Sequence, residues 1–285
     1  MINTILTYLS DYDDYIYDRF IKRLFETGYQ GKLVIFTKND QVKNFCKYDY
    51  NIEIIGSVSK FHIQVYRYYL YYEYILNNLN TIDYCLITDS RDVLFQNNIE
   101  NYKLDINYDL YVFSEGKTNI LDNCLINKGW INNIENKIDR IDRIYPTSIF
   151  NNIKNNTIIC SGTTIGNVKG MTVYLSKMIE FIERYYNEDG GIIVGLDQGF
   201  HNLILYHYGL KYIKMKLLYP EDDPLIFTIG QSVFQKKDNE KYLDSENNVI
   251  NNSGQKCFIV HQYDRFNKNI LDKISDKWGY KYNIR

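Results

Sequence analysis

The sequence is poor in several residue types, with three prolines, four histidines and two tryptophans among 285 residues. Scarce proline and an ordinary apolar content predict a globular chain. A net charge of −2 without a basic block argues against a nucleic acid or an anionic membrane as the main partner. No apolar run approaches the ~20 residues that span a bilayer, and the N-terminal residues lack the basic and apolar regions of a secretory signal.

The five cysteines are dispersed and show no CxxC spacing. Cys85, Cys160 and Cys257 lie within predicted strands, where cysteine behaves as a small buried hydrophobe. This pattern is typical of a reducing compartment and gives no sign of structural zinc. We therefore expect a cytoplasmic protein.

Tyrosine is abundant, at 29 residues, and asparagine, isoleucine and lysine are frequent. These residues share A/T-rich codons, so much of the bias can be genomic, and single tyrosines carry little functional information. The length fits one large α/β domain or two small ones. Because no repeat or low-complexity linker divides the chain, we predict a single domain over residues 1–285.

Apolar periodicity predicts strands that alternate with helices. The predicted strands are Ile2–Leu9, Leu33–Phe36, Ile52–Ile55, Tyr84–Ile87, Asp109–Phe113, Thr157–Gly166 (broken at Ser161-Gly162), Ile213–Leu218, Leu225–Ile229 and Lys256–Val260. The predicted helices are one from Asp11 or Asp14 to Gly28, then Ser59–Leu79, Asn132–Ile144 ended by Pro146, Lys169–Tyr186, and one headed by Gly195–Asn202 after an acidic glycine loop, Asn187–Gly191. This order predicts a mostly parallel, Rossmann-like sheet flanked by helices, with an irregular insertion around 115–156.

The most informative stretch is the run Tyr84–Ile87 and the charged residues after it. The four residues suit a strand buried on both faces, and Asp89, Arg91 and Asp92 follow at its carboxyl end. Open α/β sheets bind their ligands at that end of the strands. Two aspartates at this position are costly unless a cation neutralises their charge. Arg91 can neutralise part of the charge, and a bound divalent metal can neutralise more. A solvated surface turn is the alternative interpretation.

Two further polar clusters follow in order, Asp197 with Gln198 at a helix start and His261 with Asp264 after a strand. Each has a structural alternative: Asp197 as a helix N-cap, and His261 as a satisfied core histidine or one that hydrogen-bonds a neighbouring loop, for example through Asp264. Arg67, on the helix before the central strand, has the alternative of a solvated or snorkelling side chain. We expect parallel strands that end at one edge to bring Asp92 and His261 together.

The order of these clusters resembles the metal-dependent GT-A type glycosyltransferases, particularly the glycogenin and bacterial galactosyltransferase group (glycosyltransferase family 8). Asp89-Ser90-Arg91-Asp92 stands for the Asp-x-Asp motif and Cys160-Ser161-Gly162 for the small-residue-Gly strand. Asp197-Gln198 stands for the Asp-Gln helix start and His261 for the late histidine. The resemblance extends over about Ile2–Lys268 by order and spacing. It implies a nucleotide-binding half at 1–114 and a sugar and acceptor half at 157–270.

The resemblance also implies roles for individual residues. Asp89, Asp92 and His261 would bind the metal, and Asp197 and Gln198 would occupy the catalytic position. The donor contacts would come from Thr7, Leu9, Arg67, Asp89, Arg91, Ser161, Gly162, Arg265 and Lys268. The two aspartates stand three positions apart, whereas the motif has two. If Phe95 anchors the motif, Asp92 takes the second position, and Asp89 is displaced by one residue and binds the ribose or a metal-bound water instead.

A nucleoside-diphosphate-sugar donor explains these residue types. Its leaving group develops negative charge, which a divalent ion stabilises. Oxygen ligands favour Mg²⁺ or Mn²⁺, and an imidazole favours Mn²⁺. The expected reaction moves a sugar to a hydroxyl on a glycan, lipid or protein. The configuration of the sugar is inverted if Asp197 is a general base and retained if Asp197 binds the sugar. The resemblance favours retention. One alternative is a non-catalytic module that binds a nucleotide-sugar or a carbohydrate. Another is a haloacid-dehalogenase-type phosphatase, in which an aspartate after a strand is the nucleophile. Such phosphatases use a second acidic residue two positions after that aspartate, and Asp89-Ser90-Arg91-Asp92 lacks it.

Overall fold

The computed structural model describes residues 1–59, 61–142, 149–186, 195–230 and 239–278. The acidic glycine loop Asn187–Gly191 and Pro146 lie outside these residues. The chain folds as an α/β protein with a seven-stranded, mostly parallel sheet flanked by helices, as the sequence predicts. A separate three-stranded sheet accompanies it. No helix of the described residues has the length and apolar character needed to cross a membrane.

The elements have the following bounds in the described residues. The strands are β1 Ile2–Tyr8, β2 Lys32–Lys38, β3 Ile52–Ser57, β4 Tyr84–Thr88, β5 Val93–Phe95, β6 Leu110–Ser114, β7 Ile159–Asn167, β8 Met215–Leu218, β9 Ile226–Thr228 and β10 Ile259–His261. The α-helices are α1 Asp14–Glu26, α2 Ile63–Asn77, α3 Leu125–Asp142, α4 Ile149–Ile153, α5 Val168–Tyr185, α6 Leu196–Leu203 and α7 Lys268–Trp278.

The strand order of the large sheet is β3-β2-β1-β4-β7-β6-β8, and β7 alone runs antiparallel to its neighbours β4 and β6. Strand β7 runs through the predicted break at Ser161-Gly162 as one element, but its register against β6 shifts between Ile159 and Thr164, so the pairing is irregular where the break is predicted. Its pairing with β4 places Thr163 beside Thr88. One residue beyond that pair, the Asp89 amide donates to the Gly162 carbonyl at 2.8 Å. The antiparallel strand therefore brings Gly162 to the carboxyl end of β4.

The second sheet has the order β5-β10-β9, with β10 antiparallel to β5 and parallel to β9. His261 pairs with Val93, the residue after Asp92. The sequence predicts that His261 and Asp92 meet because their strands end at one edge of a parallel sheet. This explanation is wrong, because β10 is not part of the parallel sheet. A direct antiparallel pairing joins β10 to β5. His261 is also the last residue of β10, whereas the sequence predicts that it follows the strand.

The insertion at 115–156 is more regular than predicted. It contains α3, which begins seven residues before the predicted start at Asn132, and the short helix α4. Ile131, Ile134 and Ile138 recur at helical spacing and are buried on one face of α3. Helix α2 begins at Ile63, four residues after the predicted Ser59, and His62 caps it by accepting from the Gln64 amide.

The central strand β4 is buried on both faces, as its composition predicts. Leu86 packs into the core on the α1 side of the sheet with Phe20. Ile87 faces the opposite core, where it packs with residues of α2 and α5. This two-sided burial fixes the carboxyl end of β4 and the charged residues that follow it.

Candidate metal centre and adjoining cleft

Asp89, Asp92 and His261 form a cluster whose ligand atoms all lie within 4.8 Å of one another. Asp89 follows β4, Asp92 precedes β5, and His261 ends β10. The His261 Nε2 atom lies 3.5 Å from Asp89 Oδ2 and 3.9 Å from Asp92 Oδ1. The side chain of Asp92 is nearly buried and that of His261 fully buried, so the alternative of a solvated surface turn is wrong for this stretch.

Each carboxylate uses its other oxygen to accept from an arginine. Arg67 donates to Asp89 Oδ1, and Arg91 donates to Asp92 Oδ2 at 3.0 Å. Arg91 also donates to Asp264 Oδ2, and the other oxygen of Asp264 makes no hydrogen bond within the described residues. Asp264 is therefore not the hydrogen-bond partner of His261. Asp89 Oδ2 and Asp92 Oδ1 therefore remain on the side of the imidazole.

The Nε2 atom of His261 is buried and makes no hydrogen bond within the described residues. An unsatisfied buried nitrogen is costly unless something binds it. Two carboxylate oxygens and a neutral imidazole nitrogen are the donors of a Mn²⁺ or Mg²⁺ site, with the nitrogen favouring Mn²⁺. The three residues therefore fit a divalent cation.

Cys160, on β7, lies on the other side of the His261 ring, with its sulfur 3.6 Å from Nδ1. Burial raises the pKa of the Cys160 thiol, so the sulfur remains protonated at neutral pH. The contact orients the imidazole, and the partner of a ligating histidine commonly fixes the ring in this way. The sequence predicts Cys160 only as a buried hydrophobe and gives no sign of this contact.

Gly162 packs directly on the cluster. A Cβ atom at this position would lie 2.4 Å from His261 Cε1 and 2.6 Å from Asp89 Oδ2. No side chain fits there unless the cluster moves. Position 162 therefore requires a glycine, because His261 and Asp89 leave no room for a side chain there.

Electrostatics differ between the two aspartates. Burial raises the pKa of Asp89, but Arg67 and a protonated His261 outweigh it, so the net pKa lies below the usual range. Burial lowers the pKa of His261, but Cys160 and the two aspartates outweigh it, so the net pKa lies above the usual range and a metal ion must displace the proton to bind Nε2. Burial also raises the pKa of Asp92, and His261 and Arg91 only partly oppose the rise. Like charges this close repel, and a bound cation removes that repulsion.

Asp197 lies beside the cluster and accepts a 2.8 Å hydrogen bond from Arg67 Nη2. Gly195 is the N-cap of α6 and Asp197 lies within the helix, so the N-cap alternative for Asp197 is wrong. Burial raises the pKa of Asp197, with Arg67 opposing the rise. Because Arg67 contacts both Asp89 and Asp197, its alternative as a snorkelling surface residue is also wrong.

Gln198 serves to hold the framework together. Its Oε1 accepts from the Ser161 amide at 2.7 Å. Its Nε2 donates to Asn127 Oδ1 at 3.1 Å and to the Ile159 carbonyl at 2.9 Å. Both donor hydrogens are used, so the side chain joins α6 to β7 and α3. These hydrogen bonds give Gln198 a structural role, and its catalytic role beside Asp197 stays a prediction.

A cleft of about 730 Å³ opens beside the cluster, within the usual size range of small-ligand sites. The predicted site residues that line it are Arg67, Asp89, Arg91, Asp92, Ser161, Gly162, Asp197, Gln198 and Arg265. Residues that the sequence does not single out also line it, including Tyr8, Tyr12, Lys38, Glu115 and Trp130.

Three predicted donor contacts are not part of the lining. Thr7 is fully buried and donates to the Thr88 carbonyl, and Leu9 is fully buried in the core. Their neighbours Tyr8 and Ser10 face the cleft, because side chains alternate along a strand. Lys268 is exposed at the start of α7 and lies outside the lining.

No model of a known protein family matches this chain, and no curated protein matches it. The resemblance to the glycogenin group therefore remains a hypothesis based on the order and spacing of its motifs.

Proposed function

We propose that the protein is a metal-dependent glycosyltransferase that moves a sugar from a nucleoside-diphosphate-sugar to a hydroxyl acceptor. The observation that carries the proposal is the convergence of Asp89 Oδ2, Asp92 Oδ1 and the buried His261 Nε2 beside a large cleft. Carboxylates at the carboxyl end of a central strand, with arginines around them, suit a diphosphate held through a cation.

In this proposal Asp89, Asp92 and His261 hold Mn²⁺ or Mg²⁺. The ion supplies Lewis-acid stabilisation of the diphosphate that leaves the sugar. Arg91 and Arg265 line the cleft and add positive charge for the phosphate oxygens. Arg67 keeps Asp89 ionised and orients it, because its guanidinium is held between Asp89 and Asp197.

Asp197 is the group that we assign to the reacting sugar. Its Oδ2 is held by Arg67, and the residue lines the cleft beside the metal cluster. A carboxylate in this position stabilises positive charge at the sugar or orients the acceptor hydroxyl. We expect retention of the sugar configuration if Asp197 binds the sugar, and inversion if Asp197 acts as a general base on the acceptor hydroxyl. The five free cysteines support a cytoplasmic location within the same proposal.

The test is a screen of the common nucleotide-sugars for slow Mn²⁺-dependent hydrolysis, accompanied by calorimetric titration of UDP and GDP with and without Mn²⁺. Metal-dependent nucleotide binding together with donor hydrolysis supports the transferase. Nucleotide binding without turnover of any donor, with or without acceptors, contradicts it and supports a binding module. Hydrolysis of simple phosphate esters without nucleotide dependence contradicts it in favour of a phosphatase.

A further inference from the structure

Trp130 is an aromatic residue in the cleft that the proposed reaction does not yet use. It lies on α3, is partly buried, and lines the cleft together with Gly195 and Asp197. The A/T-rich codon bias that explains the many tyrosines does not explain a tryptophan. The chain has only two tryptophans, and one of them faces the candidate site.

The Trp130 ring is held in a fixed position next to Asp197. A Cβ atom at Gly195 would lie 2.2 to 2.5 Å from three atoms of the indole, so the ring packs flat on the Gly195 backbone. Gly195 has φ +80° and is the N-cap of the helix that carries Asp197 two residues later. A glycine is required on both grounds.

Helix α3 is tied to the same place by a second contact. Asn127, one turn before Trp130, is buried and accepts from Gln198. The insertion that carries Trp130 is therefore part of the site, and its tryptophan is aligned with α6 from two points.

Charged residues of both signs line the cleft. Arg91 pairs with Asp92 of the metal cluster and suits phosphates. Trp130 packs on Gly195 at the start of the helix that carries Asp197, and the carboxylate of Asp197 pairs with Arg67. A rigid aromatic surface next to a carboxylate suits a ligand with a flat apolar face and many hydroxyl donors. Pyranose rings have both properties, whereas a peptide side chain or an acyl chain has at most one.

We infer that Trp130 forms the acceptor subsite and that the acceptor is a saccharide whose ring stacks on the indole. This inference rests on the proposed function, since it assigns the second substrate of the same cleft. It narrows the acceptor from any hydroxyl to a sugar hydroxyl.

The experiment uses intrinsic fluorescence and acceptor kinetics on the full chain. Trp278→Phe leaves Trp130 as the only emitting tryptophan, and lactose, maltose, cellobiose and methyl galactoside serve as probes with UDP and Mn²⁺ present. We expect at least one saccharide to shift the emission in a saturable way and to act as an acceptor. Its KM should rise about ten-fold or more in Trp130→Ala and less in Trp130→Phe. The nucleotide Kd should stay within about two-fold.

Ile126→Ala is the matched control, because Ile126 is on the same helix and exposed. If Trp130→Ala does not fold, the comparison of Trp130→Phe with Trp130→Leu decides. The inference is wrong if no saccharide shifts the emission, if only peptides or lipids act as acceptors, or if the saccharide KM is unchanged in the Trp130 variants. Saccharide binding at Trp130 without turnover of any donor would contradict the proposed function and show a saccharide-binding site that is not an acceptor subsite.

Discussion

Arg67 donates a 2.8 Å hydrogen bond to Asp197, a residue 130 positions away along the chain. The same guanidinium pairs with Asp89, so a single arginine joins the candidate metal cluster to the carboxylate assigned to the sugar. The positions of Asp89 and Asp197 are therefore linked through one guanidinium. A substitution at Asp89 or at Asp197 therefore alters the contacts of Arg67, the partner of the carboxylate that remains.

Asp92→Ala should abolish Mn²⁺-dependent nucleotide binding, because it removes one of the three convergent donors and leaves Arg91 with Asp264 alone. We expect Mn²⁺ affinity to fall by about 100-fold or more, measured by calorimetry. Asp83→Ala is the control, since Asp83 is an exposed aspartate at the opposite end of β4. Wild-type turnover of Asp92→Ala at limiting Mn²⁺ would refute the metal assignment.

Gly162→Ala should disrupt the cluster without unfolding the sheet. The added methyl group would overlap His261 Cε1 and Asp89 Oδ2, so the imidazole or the carboxylate must move. Mn²⁺ affinity should fall while the far-ultraviolet circular dichroism spectrum is retained. Gly129→Ala is the same substitution at a helical position with no atom within 4 Å, and it should leave Mn²⁺ binding intact. Equal Mn²⁺ affinity in the two variants would show that the glycine at 162 has no role in the cluster.

Cys160 should act through the orientation of His261. Cys160→Ser keeps a hydrogen-bonding group near Nδ1, whereas Cys160→Ala removes it. We expect Mn²⁺ affinity to fall about 10- to 100-fold in the alanine variant and much less in the serine variant. A purely packing role would instead lower the melting temperature of both variants without separating their Mn²⁺ affinities.

Asp197→Asn should lower kcat far more than it weakens nucleotide binding. The amide oxygen can still accept from Arg67, so the framework is preserved, but the negative charge that faces the sugar is lost. Steady-state kinetics and calorimetry on the same preparation measure the two quantities. A parallel loss of kcat and melting temperature would assign Asp197 a structural role only.

His201 should make the protein sensitive to acid. It is fully buried, its Nδ1 lies 2.7 Å from the Tyr174 hydroxyl, and burial lowers its pKa from 6.5 to about 3. Between those values the unfolded chain binds the proton and the folded protein does not. The free energy of unfolding therefore falls as the pH drops from about 6.5 toward 3, by up to about 1.4 kcal/mol per pH unit from this residue.

The measurement is urea unfolding of the wild type and His201→Gln between pH 4.5 and 7.5. The difference between their unfolding free energies should shift in favour of the variant as the pH falls. A constant difference would show that His201 takes up its proton equally in the folded and unfolded states.

The sequence by itself determined the elements whose signals are local. An apolar run predicts β4, and the charges directly after it predict a ligand site, because burial on both faces is recorded in consecutive residues. The start of α6, with Asp197 and Gln198, was also predicted from consecutive residues. The candidate donors Asp89, Asp92 and His261 were all predicted, since each is a polar residue that interrupts an apolar pattern.

Tertiary structure decided the contacts that no local signal records. Pairing of β10 with β5 places His261 opposite Val93, and it depends on hydrogen bonds between segments more than 160 residues apart. The antiparallel entry of β7 places Cys160 and Gly162 against the imidazole, and packing of α3 on Gly195 places Trp130 in the cleft. Tyr8 and Ser10 line the cleft and Thr7 and Leu9 do not, because a strand's register determines which of its alternate side chains reaches the cleft.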